Sequence, residues 1–368
     1  MKEKACGFLL LVGILLASCQ EDSPADDVLL PSDLQVTVQH SDEEPYQISI
    51  MATAMEVNFF RFYFGEDDQF VEQKEGAITY AYKAAGEFEL IVQAHATSDA
   101  FIQHAETVTI EEPDPADLIP EDGYTTPASY DGMTLVWADE FDGDALNEAD
   151  WTYEIGTGSG GWGNNELQYY TDKNTSMING NLVIWAREES VGGSAYTSSR
   201  IVTEGNREFK YGRVDIRAVL PEGQGIWPAL WMLGSNFKEV GWPQCGEIDI
   251  MEMIGGAGRE NTVHGTLHWS AEGGYATSGK SYQLDQGVFA DAFHVFSIVW
   301  TEQSIQWMVD DVPYNEIQIT AADQSEFRAP FFFIFNVAVG GNWPGSPDGT
   351  TRFPQFMAVD YVRVFQPL

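Results

Sequence analysis

The run Gly246-Glu247-Ile248-Asp249-Ile250-Met251-Glu252-Met253-Ile254 sets three carboxylic acids close together. Side chains on an extended strand alternate faces, so Glu247 and Asp249 share one face and Ile248 and Ile250 the other. On a regular strand Glu252 falls with the isoleucines. A β-bulge at Ile250-Met251 absorbs one residue and returns Glu252 to the acidic face. Adjacent carboxylates resist ionising together, so one holds its proton near neutral pH. An ionised nucleophile beside a protonated acid is what hydrolysis of a glycosidic bond requires. Retaining hydrolysis needs the two carboxyls about 5–5.5 Å apart. Four strand steps separate the two Cα atoms by roughly 13 Å, and two leaning Glu side chains close most of that gap. Asp249 then sits beneath them. A solvated edge strand would carry the same three acids, so the flanking sequence has to decide.

The elements that must hold this strand are strands themselves. From 130 to 368, glycine-rich turns separate apolar runs such as Leu182-Val183-Ile184-Trp185, Val214–Val219 and Phe331-Phe332-Phe333-Ile334-Phe335, with no sustained helical period. An all-β, concave jelly-roll sandwich is the expected fold of this catalytic domain. Residues 34–110 alternate apolar and polar over short runs, including Leu34–Val38, Val57–Phe64 and Phe88–Val92, which predicts a small immunoglobulin-like β-sandwich. Between them, 111–129 is rich in proline and acid without periodicity, the pattern of a linker.

The acidic run resembles the Glu-x-Asp-x-x-Glu signature of glycoside hydrolase family 16, in its laminarinase-like branch, where the extra residue is the bulge. Further blocks agree in order: Gly161–Thr171, Ser199-Arg200-Ile201, Gly225–Leu233, His264-Gly265-Thr266-Leu267-His268, Asn336–Pro344 and Val359–Val364. The resemblance covers essentially all of 130–368. It implies Glu247 as nucleophile, Glu252 as general acid/base and Asp249 as the assisting carboxylate. It implies Trp227 and Trp231, four apart and so on one strand face, as walls of a sugar cleft. Arg200 beside the nucleophile, Asn164, Asn336, His268 and Trp343 are the implied substrate contacts. His264 is expected to satisfy a buried hydrogen bond, and neither histidine lies at metal-ligand spacing in the sequence. No cofactor is expected for catalysis. A structural calcium is implied at backbone oxygens of Glu140 and Gly180 with Asp360, an oxygen-only set.

The implied substrate is a laminarin-type β-glucan cut at internal β-1,3 bonds. The stretch Trp269–Tyr275 departs from the common laminarinase loop, which keeps an endo-β-galactosidase on mucin-type O-glycans and a mixed-linkage β-glucanase as alternatives. A non-catalytic surface glycan-binding lipoprotein is a further alternative, which need not retain both glutamates.

Lys2 and Lys4 precede an apolar run, Phe8–Leu16, too short to span a bilayer comfortably, so 1–18 reads as a signal peptide. It ends Leu16-Ala17-Ser18-Cys19, which resembles a bacterial lipobox with Cys19 lipidated. The acidic tether at 19–33 resembles the surface-export signal of Bacteroidota lipoproteins, so the expected location is the outer membrane, facing outward. Residues 63–67 and 80–88 of the small domain loosely resemble a PKD-type module.

Composition agrees with a neutral polymer as substrate. A net charge of -39, from 57 acidic and 18 basic residues, would repel nucleic acid and anionic membrane surfaces. Membrane contact is expected only through the anchor. All 11 tryptophans lie at or after Trp137, where they serve a core or stack on sugars. Of three cysteines, only Cys245 lies beyond the leader region, so the mature chain has no internal disulfide. Cys245 itself reads as a buried small apolar residue.

Overall fold

The computed structural model describes residues 28–41, 46–111, 113–272 and 274–368. Cys19 and the leader 1–18 lie outside the described residues. The chain divides into two compact units, at 1–111 and 112–368.

In the first unit, two antiparallel sheets enclose a core. One carries Ser32–His40, Gln47–Met55 and Ala77–Ala81, the other Val71–Gln73, Phe59–Tyr63, Gly86–His95 and Phe101–Ile110. The alternation read in the sequence is the reason. Ile48, Ile50 and Ala52 point inward from one sheet and meet Phe60, Phe62, Leu90 and Val92 of the other.

The second unit is a larger sandwich of a ten-stranded and a seven-stranded sheet. The seven-stranded sheet carries the acids. Its order is Gly274–Gln283, Thr262–Ala271, Glu247–Glu252, Ile226–Gly234, Phe331–Val339, Arg200–Val202 and Thr152–Tyr153. Phe331, Phe333, Phe335, Val337 and Val339 enter the core between the sheets. Phe332 and Ile334 face the other way, into a smaller cluster with Val202, Leu233 and Cys245, against which Trp231 packs. A strand covered on both faces reads as a continuous apolar run, and Phe331–Phe335 does, with Asn336 the one polar residue before Val337–Val339. Cys245 is fully buried, and burial pushes its thiol up to about 12, so it is the inert apolar residue expected.

The segment expected as a linker, 111–129, is not free. Within the second unit Ile119 is buried beside Val183, Trp185, Val219 and Phe293. The Thr126 amide donates to the Tyr361 hydroxyl at 2.9 Å, Tyr124 donates to Asp311 at 2.8 Å, and Arg217 donates to the Tyr124 carbonyl at 2.7 Å. These are single contacts spaced along an aperiodic strap, so no periodicity announces them.

Candidate active site

The bulge falls where the spacing of the acids requires it. Against Ile226–Gly234, Asp249 pairs with Trp231 and Met251 with Leu230, leaving Ile250 without a partner. Against Thr262–Ala271, Asp249 pairs with Thr266 and Glu252 with His264, three steps on one strand against two on the other. Ile248, Ile250 and Met251 all enter the core. Glu247, Asp249 and Glu252 are thereby turned to the opposite face.

Each glutamate receives an indole N–H. Trp227 donates to Glu252 Oε1 at 3.1 Å, and Trp242 donates to Glu247 Oε2 at 3.1 Å. The strand pairing sets His268 opposite Glu247. His268 Nε2 lies 2.9 Å from Asp249 Oδ2 and 3.7 Å from Glu247 Oε1. That Asp249 oxygen is buried and accepts no well-directed hydrogen bond, so its contact with His268 is electrostatic in character. Burial and the adjacent Asp249 push both Glu247 and Glu252 up to about 8. Burial raises Asp249 as well. His268 and Arg200 draw Glu247 back down, whereas Glu252 feels His268 and the Trp227 hydrogen bond but not Arg200. Arg200 is thus the cation that acts on Glu247 alone.

The tryptophan pair shares the open face of its strand, as the spacing predicts: Trp227 and Trp231 are partly exposed between buried neighbours. Trp343, 40% exposed, meets Trp227 edge-on at 5.5 Å and His264 at 5.0 Å. His264 thus packs against an indole, a different role from the buried hydrogen bond expected of it. The Arg200 guanidinium lies over the rings of Trp162 and Trp231, 4.6 and 4.9 Å from their centres, and its Nε donates to Glu154 Oε2 at 2.5 Å.

Asn336 and Asn164 are engaged within the protein. Asn336 is buried, its oxygen accepts from Trp231 Nε1 at 2.8 Å, and its amide donates to the Tyr170 hydroxyl at 3.1 Å. It fixes the Trp231 ring from behind. The Asn164 side-chain amide donates to Glu166 Oε1 at 3.2 Å, and its backbone carbonyl accepts the Asn342 backbone N–H at 2.8 Å, which ties the loop Gly161–Asn165 to the loop before Trp343.

Sequence spacing shows no metal set at His268; in the fold, donor atoms of Glu247, Asp249 and His268 lie within 4.8 Å of one another, as members of the acidic site itself. They meet across paired strands, which sequence spacing does not display. At the expected calcium site, Asp139 pairs with Val362 and Leu182 with Val359, so Glu140 and Gly180 approach the C-terminal strand on either side of Asp360. Asp360 is skipped in the pairing with Gly212–Val219, and its Oδ2 accepts from Arg217 at 2.8 Å. The Glu140 carboxylate is held by two donors of Arg363.

Trp242 and Tyr275 went unnoticed in the sequence. Trp242, in Gly-Trp-Pro five residues before Glu247, offered a signal: an indole in a turn leading directly into the acids. Tyr275 lies in the stretch that departs from the laminarinase pattern, and only the hairpin register shows what it faces.

The sequence profile of "Glycosyl hydrolases family 16" matches residues 162–363. A beta-glucanase of Rhodothermus marinus is 41% identical over 246 residues, covering 63% of this chain and 85% of that protein. The clotting factor G alpha subunit of Tachypleus tridentatus is 39% identical over 63% of this chain, but the match spans only 34% of the subunit's length. Among solved structures, the laminarinase catalytic domain from Thermotoga maritima MSB8 is 48% identical with a TM-score of 0.60, covering 65% of this chain and all of that one.

Proposed function

The chain belongs to family 16 of the glycosyl hydrolases, and on that premise we propose that it cleaves internal β-1,3-glucosidic bonds of laminarin-type β-glucans with retention at the anomeric carbon. The observation that carries the reading is the bulged strand, which turns Glu247, Asp249 and Glu252 to one face with an indole N–H on each glutamate.

In the first step the Glu247 carboxylate attacks the anomeric carbon while Glu252 gives its proton to the departing glycosidic oxygen. One C–O bond forms at Glu247 and one breaks to the leaving sugar. In the second, Glu252, now a carboxylate, takes a proton from water. The resulting nucleophilic oxygen displaces Glu247 and restores both side chains. Three adjacent acids cannot all be ionised, so a proton is retained among them near neutral pH. Arg200, which acts on Glu247 and not on Glu252, favours leaving that proton on Glu252. Trp227, Trp231 and Trp343 offer rings against which the apolar faces of glucose units stack. A non-catalytic binding role would leave unexplained why both glutamates are kept and separately hydrogen-bonded.

The test is a product screen. Protein beginning at residue 20 is incubated with laminarin, mixed-linkage β-glucan, agarose and mucin O-glycans, beside Glu247→Gln. Oligosaccharides released fastest from laminarin, and none by the variant, are expected. Products from mucin glycans alone would move the substrate to a galactoside. Unchanged hydrolysis by the variant would remove the mechanism.

We propose further that Cys19 is lipidated and holds the enzyme on the outer membrane, with 34–110 a PKD-type spacer. A Cys19→Ala variant should then leave the membrane fraction. A structural calcium would be held by backbone oxygens of Glu140 and Gly180 with Asp360, where it would tie the C-terminal strand to its two neighbours. Asp142 adds an oxygen nearby, since a β-carbon at Gly180 would lie 3.6 Å from its Oδ1. Chelated protein should melt lower than protein given calcium, and equal midpoints would refute the site.

A further inference from the structure

His268 presents one ring nitrogen to the acids, and its other nitrogen has a partner. Nδ1 lies 2.6 Å from the hydroxyl of Tyr275. The two rings are nearly parallel, 16° apart with centres at 5.7 Å. Tyr275 reaches this place because Gly274–Gln283 pairs with Thr262–Ala271 in a register that sets Thr277 opposite His268 and Tyr275 opposite Ser270. Trp242 covers the far side, 5.2 Å from Tyr275 and 6.4 Å from His268, while its own N–H is spent on Glu247. Tyr275, His268 and Asp249 thus form a continuous line from a half-exposed phenol to a buried carboxylate.

A neutral imidazole carries its proton on one nitrogen only, and the hydrogen bond at the other nitrogen decides which. A phenol can donate to Nδ1, which leaves the proton on Nε2, facing the acids. It can equally accept from Nδ1–H when the ring is charged. In both states the proton on Nε2 lies on the side of the acids, with Asp249 Oδ2 2.9 Å and Glu247 Oε1 3.7 Å from that nitrogen. Without the hydroxyl, the ring loses its anchor and the tautomer with a bare Nε2 becomes accessible. That lone pair would face two carboxylates.

Accepting the hydrolase reading above, we propose that Tyr275 is a positioning residue for the reaction: its hydroxyl on Nδ1 holds the His268 ring in place and favours the proton on Nε2, the nitrogen beside Asp249 and Glu247, which keeps Glu247 available as the ionised nucleophile. The charged and titratable groups facing His268 are Glu247 and Asp249 from the acidic strand and Tyr275 from the hairpin, with Glu252 and Arg200 acting on the same acids at longer range. Burial raises the Tyr275 phenol, and the field of the three acids adds to it, against a hydrogen bond with Thr277.

Tyr275→Phe keeps the ring and removes only the hydroxyl. Its kcat should fall about tenfold with KM within about twofold of the parent. In a His268→Gln background the same substitution should cost nothing further, because the hydroxyl then has no imidazole to hold. A raised KM with unchanged kcat would make Tyr275 a wall of the cleft and overturn the proposal. An equal loss in the His268→Gln background would overturn it too. A second measurement does not depend on turnover. With nitrogen-15 in the six histidines, long-range proton–nitrogen spectra should show His268 protonated at Nε2 in the parent and a changed ring pattern in Tyr275→Phe. Identical His268 signals in the two proteins would refute the proposal even if the parent cut none of the polymers, a result that would separately refute the substrate reading.

Discussion

The indole of Trp227 donates to Glu252 Oε1 at 3.1 Å, a bond that favours the ionised form of the group that must be protonated when the glycosidic bond breaks. Removing the donor should raise Glu252 further. Trp227→Phe keeps a ring in the cleft, and the alkaline limb of kcat/KM should move up by about half a pH unit. A limb that stays or moves down would contradict the assignment of Glu252 as the acid.

The raised glutamates also make stability depend on pH. Glu247 and Glu252 are each raised from 4.5 to about 8 on folding and share their protons as a coupled pair. Between those values the folded protein binds a proton that the unfolded chain has released. Stability is therefore greatest below the lower value and declines as pH climbs through the window. Glu247→Gln removes this liability. It should melt higher than the parent at pH 8, by roughly 3–8 °C, and close to it at pH 4.5. Thermal scans at the two pH values check this, and a variant equally shifted at both would show another cause.

Asn336 holds Trp231 through its oxygen and Tyr170 through its amide. Asn336→Ala leaves the Trp231 N–H without its acceptor and takes one of two partners from the Tyr170 hydroxyl, which keeps Glu166, at a cost of about 1–3 kcal/mol. Denaturant melts should show that loss, and kinetics should show a higher KM as the Trp231 ring loosens. A KM unchanged beside a clear loss of stability would separate Trp231 from substrate binding.

The strap ahead of the jelly roll should matter for its folding. Protein starting at residue 130 lacks Ile119, Tyr124 and Thr126, and with them the contacts to Asp311, Arg217 and Tyr361. It should melt at least roughly 5 °C below protein starting at 113. Equal midpoints would return this segment to the status of a linker.

What the sequence displayed follows from what is local. The bulge was legible because Glu247 and Glu252 sit five apart on a strand whose faces alternate, and a carboxylate has no stable place among Ile248 and Ile250. The Trp227–Trp231 pair was legible for the same reason, since an even spacing on a strand means one face. Phe331–Phe335 was legible as a strand from its apolar run, while the cover on both its faces was not. Contacts made across strand pairs were not legible. His268 meets Asp249, and Tyr275 meets His268, only through the register of two hairpins. Asn336 was expected at the substrate, and its contacts within the chain, Trp231 and Tyr170, lie 105 and 166 residues away. The strap was read as a linker because its few anchoring residues follow no period.

The division of labour between the glutamates is the centre of this account, and chemical rescue tests it most directly. Glu247→Ala and Glu252→Ala are each given an activated aryl β-laminaribioside with azide, and the anomer of the sugar azide is read by proton NMR. If Glu247 is the nucleophile, its alanine variant leaves room for azide to attack directly and yields the α-azide. The Glu252 variant still forms the covalent intermediate and yields the β-azide. The opposite pairing of variant and anomer would exchange the two roles.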